Sequence, residues 1–207
     1  MQKVTILKHP LAQQALSHLR DTTTSTADFR SNAEIISSLL LTEAASSLLL
    51  TQKSIMTPLT TTAGNYLEEN IVIVTILRAG LAMLGPTLKI FPHAPVGLVG
   101  LARDEKTALA DEYYVKLPNI TDESVVFLLD PMLATGGSLL HVLKKITKAK
   151  EIRLVTIISA PEGITAINTA FPNVHIITGA VDEKLNDKKF IVPGLGDFGD
   201  RYFGTIE

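Results

Sequence analysis

The sequence predicts an α/β protein built on a mainly parallel sheet with helices against its faces. From position 71 onward, "IVIVTI", "PVGLVGL", "SVVFLLD", "RLVTIIS" and "VHIITGAV" recur as continuous Val/Ile/Leu runs. Such runs suit strands that are covered on both faces. The stretches "SLLHVLKKITKAK" and "PEGITAINTAF" between the later runs are each long enough for a crossover helix, as βαβ units require. Ligands of an open parallel sheet bind beyond the carboxyl ends of its strands. In this chain polar and glycine residues cluster just after three of the runs.

The amino-terminal part is different. "HPLAQQALSHLRD" places Pro10 in a first helical turn, and a Thr/Ser break, "TTTST", separates it from a second helix beginning near Ala27. Phe29, Ala33, Ile36 and Leu40 recur there at helical spacing and form a core-facing stripe. "SIMTPLTTTAGNYLEEN" has β-branched residues, Pro58 and Gly64 but no helical period, so residues 51–70 are expected to form a strand or loop appendage. With 207 residues, 46% of them hydrophobic, the chain suits a single domain with one sizeable core.

Composition excludes several chemistries. Lys plus Arg number 19 against 21 Asp plus Glu, a formal charge of -2, so no broad basic field awaits a polyanion. Aromatic residues are only 5% and Trp is absent, leaving little for base-stacking platforms; nucleic acid is not an expected partner. The lack of Cys removes disulfides, thiolate metal sites and thiol nucleophiles, and agrees with a reducing cytoplasm. "MQKVTILKHP" lacks the apolar stretch of a signal peptide, and no run reaches the roughly 18 apolar residues of a membrane span. A soluble cytoplasmic protein without a membrane partner is expected.

Three segments carry candidate chemistry. "ILRAG" puts Arg78 after the first run, followed by the small Ala79 and Gly80. "GLARDEKT" puts Arg103 and Lys106 after the second, and "DPMLATGGS" puts Asp130 at the end of the third. Thr135, Gly136, Gly137 and Ser138 combine hydroxyls, residues free to adopt positive φ and a helix start whose N–H groups suit a phosphate. Asp130 is better suited to accept hydrogen bonds from sugar hydroxyls, so the spacing fits a phosphorylated sugar. The plain alternative is a Gly-rich βα turn with Asp130 as a local acceptor.

Other motifs fail. G-x-x-x-x-G-K-[ST] occurs nowhere, and the G-x-G-x-x-G at Gly194, Gly196 and Gly199 is followed by only eight residues, too few for a dinucleotide fold. His9, His18, His93, His141 and His175 are scattered without metal-ligand spacing, and no G-x-S-x-G elbow occurs. The Gly-rich tail holds Asp197 and Asp200, and the apolar anchors of "DRYFG" suggest that it is tied down.

At these residues the chain resembles a known family. "DPMLATGGS" is similar to the phosphoribosyl pyrophosphate (PRPP) loop of uracil phosphoribosyltransferases, within the type I phosphoribosyltransferase fold. "KHPL", "ILRAG", "GLARDEKT", "APEG" and "IVPGLGDFGDRYFGT" agree in order and approximate position, so the resemblance covers nearly the whole chain. Asp130 followed by Pro131 is the pattern of the uracil branch, where the broader fold has two adjacent acids. Departures are Thr75 where many members have Pro, Phe198 where many have Ala, and a shorter 51–70 segment than in many bacterial relatives; Phe198 bears on the shape of the base pocket.

The resemblance implies a central mainly parallel sheet flanked by helices, with N-terminal helices, a β-arm or loop at 51–70 and a base-binding tail at 190–207. It implies transfer of a phosphoribosyl group from PRPP to N1 of uracil, giving UMP and pyrophosphate. Asp130 would hold the ribose hydroxyls, and Thr135, Gly136, Gly137 and Ser138 the 5′-phosphate, with Pro131, Met132, Leu133 and Ala134 in the same PRPP loop. Arg78 and Arg103 would hold the pyrophosphate, Arg103 from a mobile loop running to about Tyr114. Ile191, Gly196, Asp197 and Phe198 would bind uracil largely through backbone groups, with Asp197 also facing the sugar diphosphate; Arg103, Asp130 and Asp197 would carry the catalysis. Mg²⁺ would arrive on the diphosphate rather than in a protein cage. A homodimer or larger assembly follows from the resemblance, with GTP a candidate activator. Two rivals stand beside it: a nucleotide-sensing regulator that binds RNA, and a noncatalytic sugar-phosphate binding module.

Overall fold

The computed structural model describes residues 3–103 and 110–205. Its elements are β1 (Val4–Ile6), α1 (Pro10–Arg20), α2 (Thr26–Ala45), β2 (Leu50–Met56), β3 (Thr61–Leu67), β4 (Asn70–Leu77), α3 (Leu81–Ile90), β5 (Val96–Arg103) and β6 (Ala110–Lys116). They continue as β7 (Ser124–Leu129), β8 (Met132–Leu133), α4 (Gly137–Leu143), β9 (Glu151–Ser159), α5 (Pro161–Ala170), β10 (His175–Val181), β11 (Lys184–Leu185), β12 (Ile191–Val192) and α6 (Phe198–Phe203). No helix among the described residues is long and apolar enough to cross a membrane.

The five apolar runs form β4, β5, β7, β9 and β10, the middle of a sheet in the order β1-β10-β9-β7-β4-β5-β6. All of its pairings are parallel except β5 with β6. Alternate residues of each run face opposite layers. Ile71, Ile73, Val125, Phe127 and Leu129 join the core under the N-terminal helices, whereas Val72, Val74, Val126 and Leu128 join the one that holds Leu139 and Val142 of α4 and Ile167 of α5. Burial on both faces explains why these strands read as continuous runs rather than as alternating ones.

Local chemistry sets the helix starts. Pro10 occupies the first turn of α1, and the His9 ring accepts from the Leu11 N–H at 3.2 Å. Ser25 caps α2 by accepting from Asp28 N at 3.1 Å, while its hydroxyl donates to the Asp28 carboxylate at 2.6 Å. Residues 50–67 form an antiparallel hairpin, β2 with β3, a two-stranded sheet separate from the main one.

Three expectations need correction. The segment between Arg103 and Tyr114 is not all loop, because Ala110–Lys116 is an edge strand paired with β5, opposing Leu98 to Lys116 at one end and Arg103 to Ala110 at the other. "ADEYYVK" has no apolar run; backbone pairing, not burial, makes it a strand. The helix in "SLLHVLKKITKAK" stops at Leu143, after which Lys145 N donates to Val142 O and Ile146 N to Leu143 O, tightening the chain so that Ile146 enters the core. Phe198 does not shape a pocket with its ring. It is fully buried, edge-on to Phe29 of α2 at 5.1 Å and stacked on Tyr202 at 5.9 Å.

Phe198 therefore ties α6 to α2. Phe198→Ala should leave an unfilled hole beside Phe29 and cost about 3 kcal/mol of unfolding free energy, measurable by urea denaturation. A loss below about 1 kcal/mol would show that the ring is not part of the core.

Candidate active site

The chain passes from β4 outward to β5 and then returns to the other side of β4 as β7. The strand order therefore reverses between β4 and β7, and the crevice at their carboxyl ends is where an open α/β sheet holds ligands. Arg78 follows β4 and Asp130 follows β7. The turn after β4 closes onto the end of β7 at Gly80, where a Cβ would stand 2.8 Å from the Leu129 carbonyl and 2.3 Å from Thr75 Oγ1. Any other residue would push them apart. Thr75 is fully buried, with its hydroxyl 3.4 Å from Leu129 O.

The segment after β7 is half anchor and half open loop. Pro131 is buried, and its carbonyl accepts from Ile157 N at 2.9 Å and Ile158 N at 3.1 Å. Met132 and Leu133 form β8 alongside β9, with the Leu133 side chain wholly in the core. The PRPP-loop residues named from sequence are therefore divided: the side chains of Pro131 and Leu133 face inward, while Thr135 and Gly137 are exposed. Gly136 has φ 83°, and Thr135 Oγ1 accepts from Gly137 N at 3.4 Å, which shapes the turn into α4. Helix α5 packs against this turn. A Cβ at Gly163, in "APEG", would lie 2.3 Å from Ala134 O.

Asp130 is half-buried, and its Oδ1 accepts from Met132 N at 3.2 Å. Desolvation of the carboxyl raises its pKa from 3.8 to about 7, against the smaller downward pull of the Met132 N–H. An aspartate of this kind is poised for a ligand that supplies donors or positive charge.

The tail completes the site from the other side. Arg20, Arg78, Gly194, Gly196, Asp197 and Asp200 line an open cleft of about 830 Å³. Arg78 is exposed, 3.5 Å from the Asp200 carboxylate and 5.7 Å from the centre of the Phe203 ring. Asp197 caps α6 by accepting from Asp200 N at 3.0 Å, and a Cβ at Gly199 would be 4.0 Å from Ala79 Cβ, so the tail abuts the turn after β4. Ile191 is buried in β12, opposite Leu185, so its side chain belongs to the core. Arg103 ends β5, and Lys106 lies outside the described residues.

Arg78, Gly196 and Asp197 thus share one cleft, and the segment from Asp130 to Ser138 follows β7, the strand beside β4. Residues 6–205 match the family described as Uracil phosphoribosyltransferase. The chain belongs to that family. It is 47% identical over 208 residues to the uracil phosphoribosyltransferase of Streptococcus agalactiae, covering 99% of this chain and 100% of that one. The Dictyoglomus turgidum uracil phosphoribosyltransferase is 47% identical over 205 residues, 98% of this chain and 99% of its own. The solved structure of the AQ2163 protein from Aquifex aeolicus superposes with a TM-score of 0.92 at 41% identity, covering 97% of each chain.

Three cleft residues, Arg20, Asp200 and Arg201, and Asp182 behind them carry no role in the sequence-based expectations. Asp200 pairs with Arg78, and Arg201 donates to Leu195 O at 2.8 Å, to Asp21 O at 2.5 Å and to Leu19 O. Arg20 binds Asp182, which follows β10 as Asp130 follows β7. The signal for Asp182 was present in "VHIITGAVD", an apolar run ending in an aspartate.

Asp130 gives a pH test. Because its folded pKa lies above that of the unfolded chain, the folded protein holds more protons between pH 3.8 and about 7. The contribution of this group to stability is thus greatest below that window and falls as pH rises through it, by at most about 1.4 kcal/mol per pH unit, and is level above. Asp130→Asn removes the ionisation. The unfolding free energy of the variant minus that of the parent should therefore grow from pH 4 to pH 7; a difference that stays flat in urea titrations would contradict the raised pKa.

Proposed function

We propose that this chain transfers the 5-phosphoribosyl group of PRPP to N1 of uracil, releasing pyrophosphate and making UMP for pyrimidine salvage. The observation that carries the reading is that the end of β7, which leads straight into Asp130–Ser138, and the tail, through Gly199 and the cleft that Gly194–Asp197 line with Arg78, both meet the Arg78–Gly80 turn, at the strand-order reversal of a chain that matches the family over residues 6–205. Asp130 accepts from the ribose 2′- and 3′-hydroxyls, and the start of α4 takes the 5′-phosphate. Arg78 and Arg103 hold the diphosphate, and Gly196 and Asp197 meet the base and its approach to the sugar. Pro131 and Leu133 support this loop from the core, and Ile191 and Phe198 support the tail in the same way.

The chemistry needs no covalent nucleophile. As N1 of uracil bonds to C1 of the ribose and gives up its proton to water, the C1–O bond to diphosphate breaks, positive charge spreads over the ring and negative charge grows on the leaving group. Positioned cations and hydrogen bonds lower such a barrier. Asp130 and Asp197 are single carboxylates on separate segments, a donor set that suits Mg²⁺ held mainly by diphosphate and water oxygens. When bound, the ion would neutralise charge on the leaving group. A homodimer or larger assembly, activation by GTP and a cytoplasmic location accompany this reading as properties carried over from the family.

Mixing the protein with PRPP, Mg²⁺ and each nucleobase tests it. UMP should form with uracil, and cytosine should react at least about 10⁴-fold less efficiently, because its N3 and its group at C4 reverse donor and acceptor. Gly196 has φ 80°, and the space around it is open, so Gly196→Val acts through backbone strain rather than a clash. It should abolish use of the base while PRPP still binds; comparable turnover of cytosine, or full activity in Gly196→Val, would place base recognition elsewhere. If Arg103 acts on the departing diphosphate, Arg103→Ala should lower kcat at saturating substrate, and a change confined to KM would reduce it to ground-state binding.

A further inference from the structure

We infer that Arg20 and Asp182 are positioning residues for the base, an ion pair of a half-buried guanidinium and a buried carboxylate that grips both polar groups of Gly194 and so sets the turn presenting Gly196 and Asp197. The inference rests on the function proposed above for the tail. Asp182 is 6% exposed and follows β10; Arg20 is the last residue of α1. Asp182 Oδ2 accepts from Arg20 at 2.8 Å and from Gly194 N at 2.8 Å, while Oδ1 accepts from the other arm of the same guanidinium at 2.5 Å. That guanidinium also donates to Gly194 O at 2.7 Å. One residue of the turn is thereby held at its N–H by an anion and at its C=O by a cation.

The rest of the turn agrees with this purpose. Gly194 has φ 64°, and a Cβ there would stand 2.1 Å from Ile191 O, so the chain doubles back sharply at this point. Leu195 O is taken by Arg201, whose guanidinium lies 4.5 Å from the centre of the Phe29 ring. Gly194 and Leu195 are buried, and the next two residues, Gly196 and Asp197, are exposed on the cleft wall. The inward carbonyls are committed to arginines, and the groups that follow are left to face a ligand. An ion pair with one buried member adds little stability beyond what apolar residues of similar size would give, but it can select one backbone arrangement among several. A site that reads its ligand through main-chain groups needs such selection, because its recognition depends on backbone placement.

The test is a paired replacement, Arg20→Met with Asp182→Leu, which removes both charges together and leaves neither buried alone. Thermal unfolding and PRPP binding without uracil check that the variant is folded. The expected result is a uracil KM raised at least about tenfold with PRPP affinity within about twofold. Arg20→Lys should also raise the uracil KM, because an ammonium keeps the charge but not the fork that spans Asp182 and Gly194 O. An unchanged uracil KM in the folded paired variant, an equal loss of PRPP affinity, or full rescue by Arg20→Lys would overturn the inference. Amide hydrogen exchange separates its failure from that of the proposed function. If the parent protein makes no UMP, the function falls, and slow exchange at Gly194 that the paired variant fails to accelerate overturns the clamp on its own.

Discussion

The reversal of strand order between β4 and β7 decides where everything else in this molecule falls. Parallel strands send all their carboxyl ends to one edge, and only at a reversal do neighbouring connections leave in opposite directions and open a crevice. Here that point separates Arg78 from Asp130, and at Gly80 the turn after β4 closes onto the end of β7. The tail from Gly194 to Phe203 reaches the same turn through Gly199 against Ala79, and α2 through Phe198 against Phe29. Three segments distant in sequence are gathered around one turn because one topological feature leaves room for them.

Two aspartates end two of the buried strands, and their surroundings assign them opposite tasks. Asp182 meets a bidentate guanidinium and a backbone N–H, so its oxygens are satisfied from within the protein. Asp130 accepts one hydrogen bond among the described residues, from Met132, and burial drives its pKa toward neutrality. An anion already paired can organise backbone but has nothing left for a ligand. An anion that is desolvated and nearly bare gains from a ligand's hydroxyls or cations what it lacks in the free protein. The same sequence pattern, an apolar run closed by aspartate, thus yields a scaffold residue in one case and a candidate binding residue in the other.

What could be read from sequence follows from how each part is held together. β4, β7 and β9 are buried on both faces, so their runs announce them. β1 and β6 lie at the sheet edges and are held by backbone pairing that any sequence can make, and no run marks them. The candidate loop at Asp130 was recognisable because carboxylate, hydroxyl and glycines follow one another at a spacing that suits a phosphorylated sugar. Its division into anchor and open turn was not, since Pro131 and Leu133 differ from their neighbours only in which way the chain faces once β8 docks on β9. Arg20 with Asp182, and Arg201 with Leu19, Asp21 and Leu195, escape a one-dimensional reading for another reason: their partners are brought close only by the finished fold.

The ring of Phe198 shows how the scaffold and the cleft constrain each other. This chain buries a full aromatic side chain against Phe29 and Tyr202. That ring lies on the face of α6 turned toward α2, and Asp197, the cap of that helix, lines the cleft. A helix of six residues has too few internal hydrogen bonds to hold itself, so its position depends on the packing of its buried face. In this chain that packing is aromatic, and Arg201, one turn along, spans from Phe29 to the carbonyls of Leu19 and Leu195. The placement of Asp197 is therefore set from behind, by contacts between α6 and the N-terminal helices, before any substrate arrives.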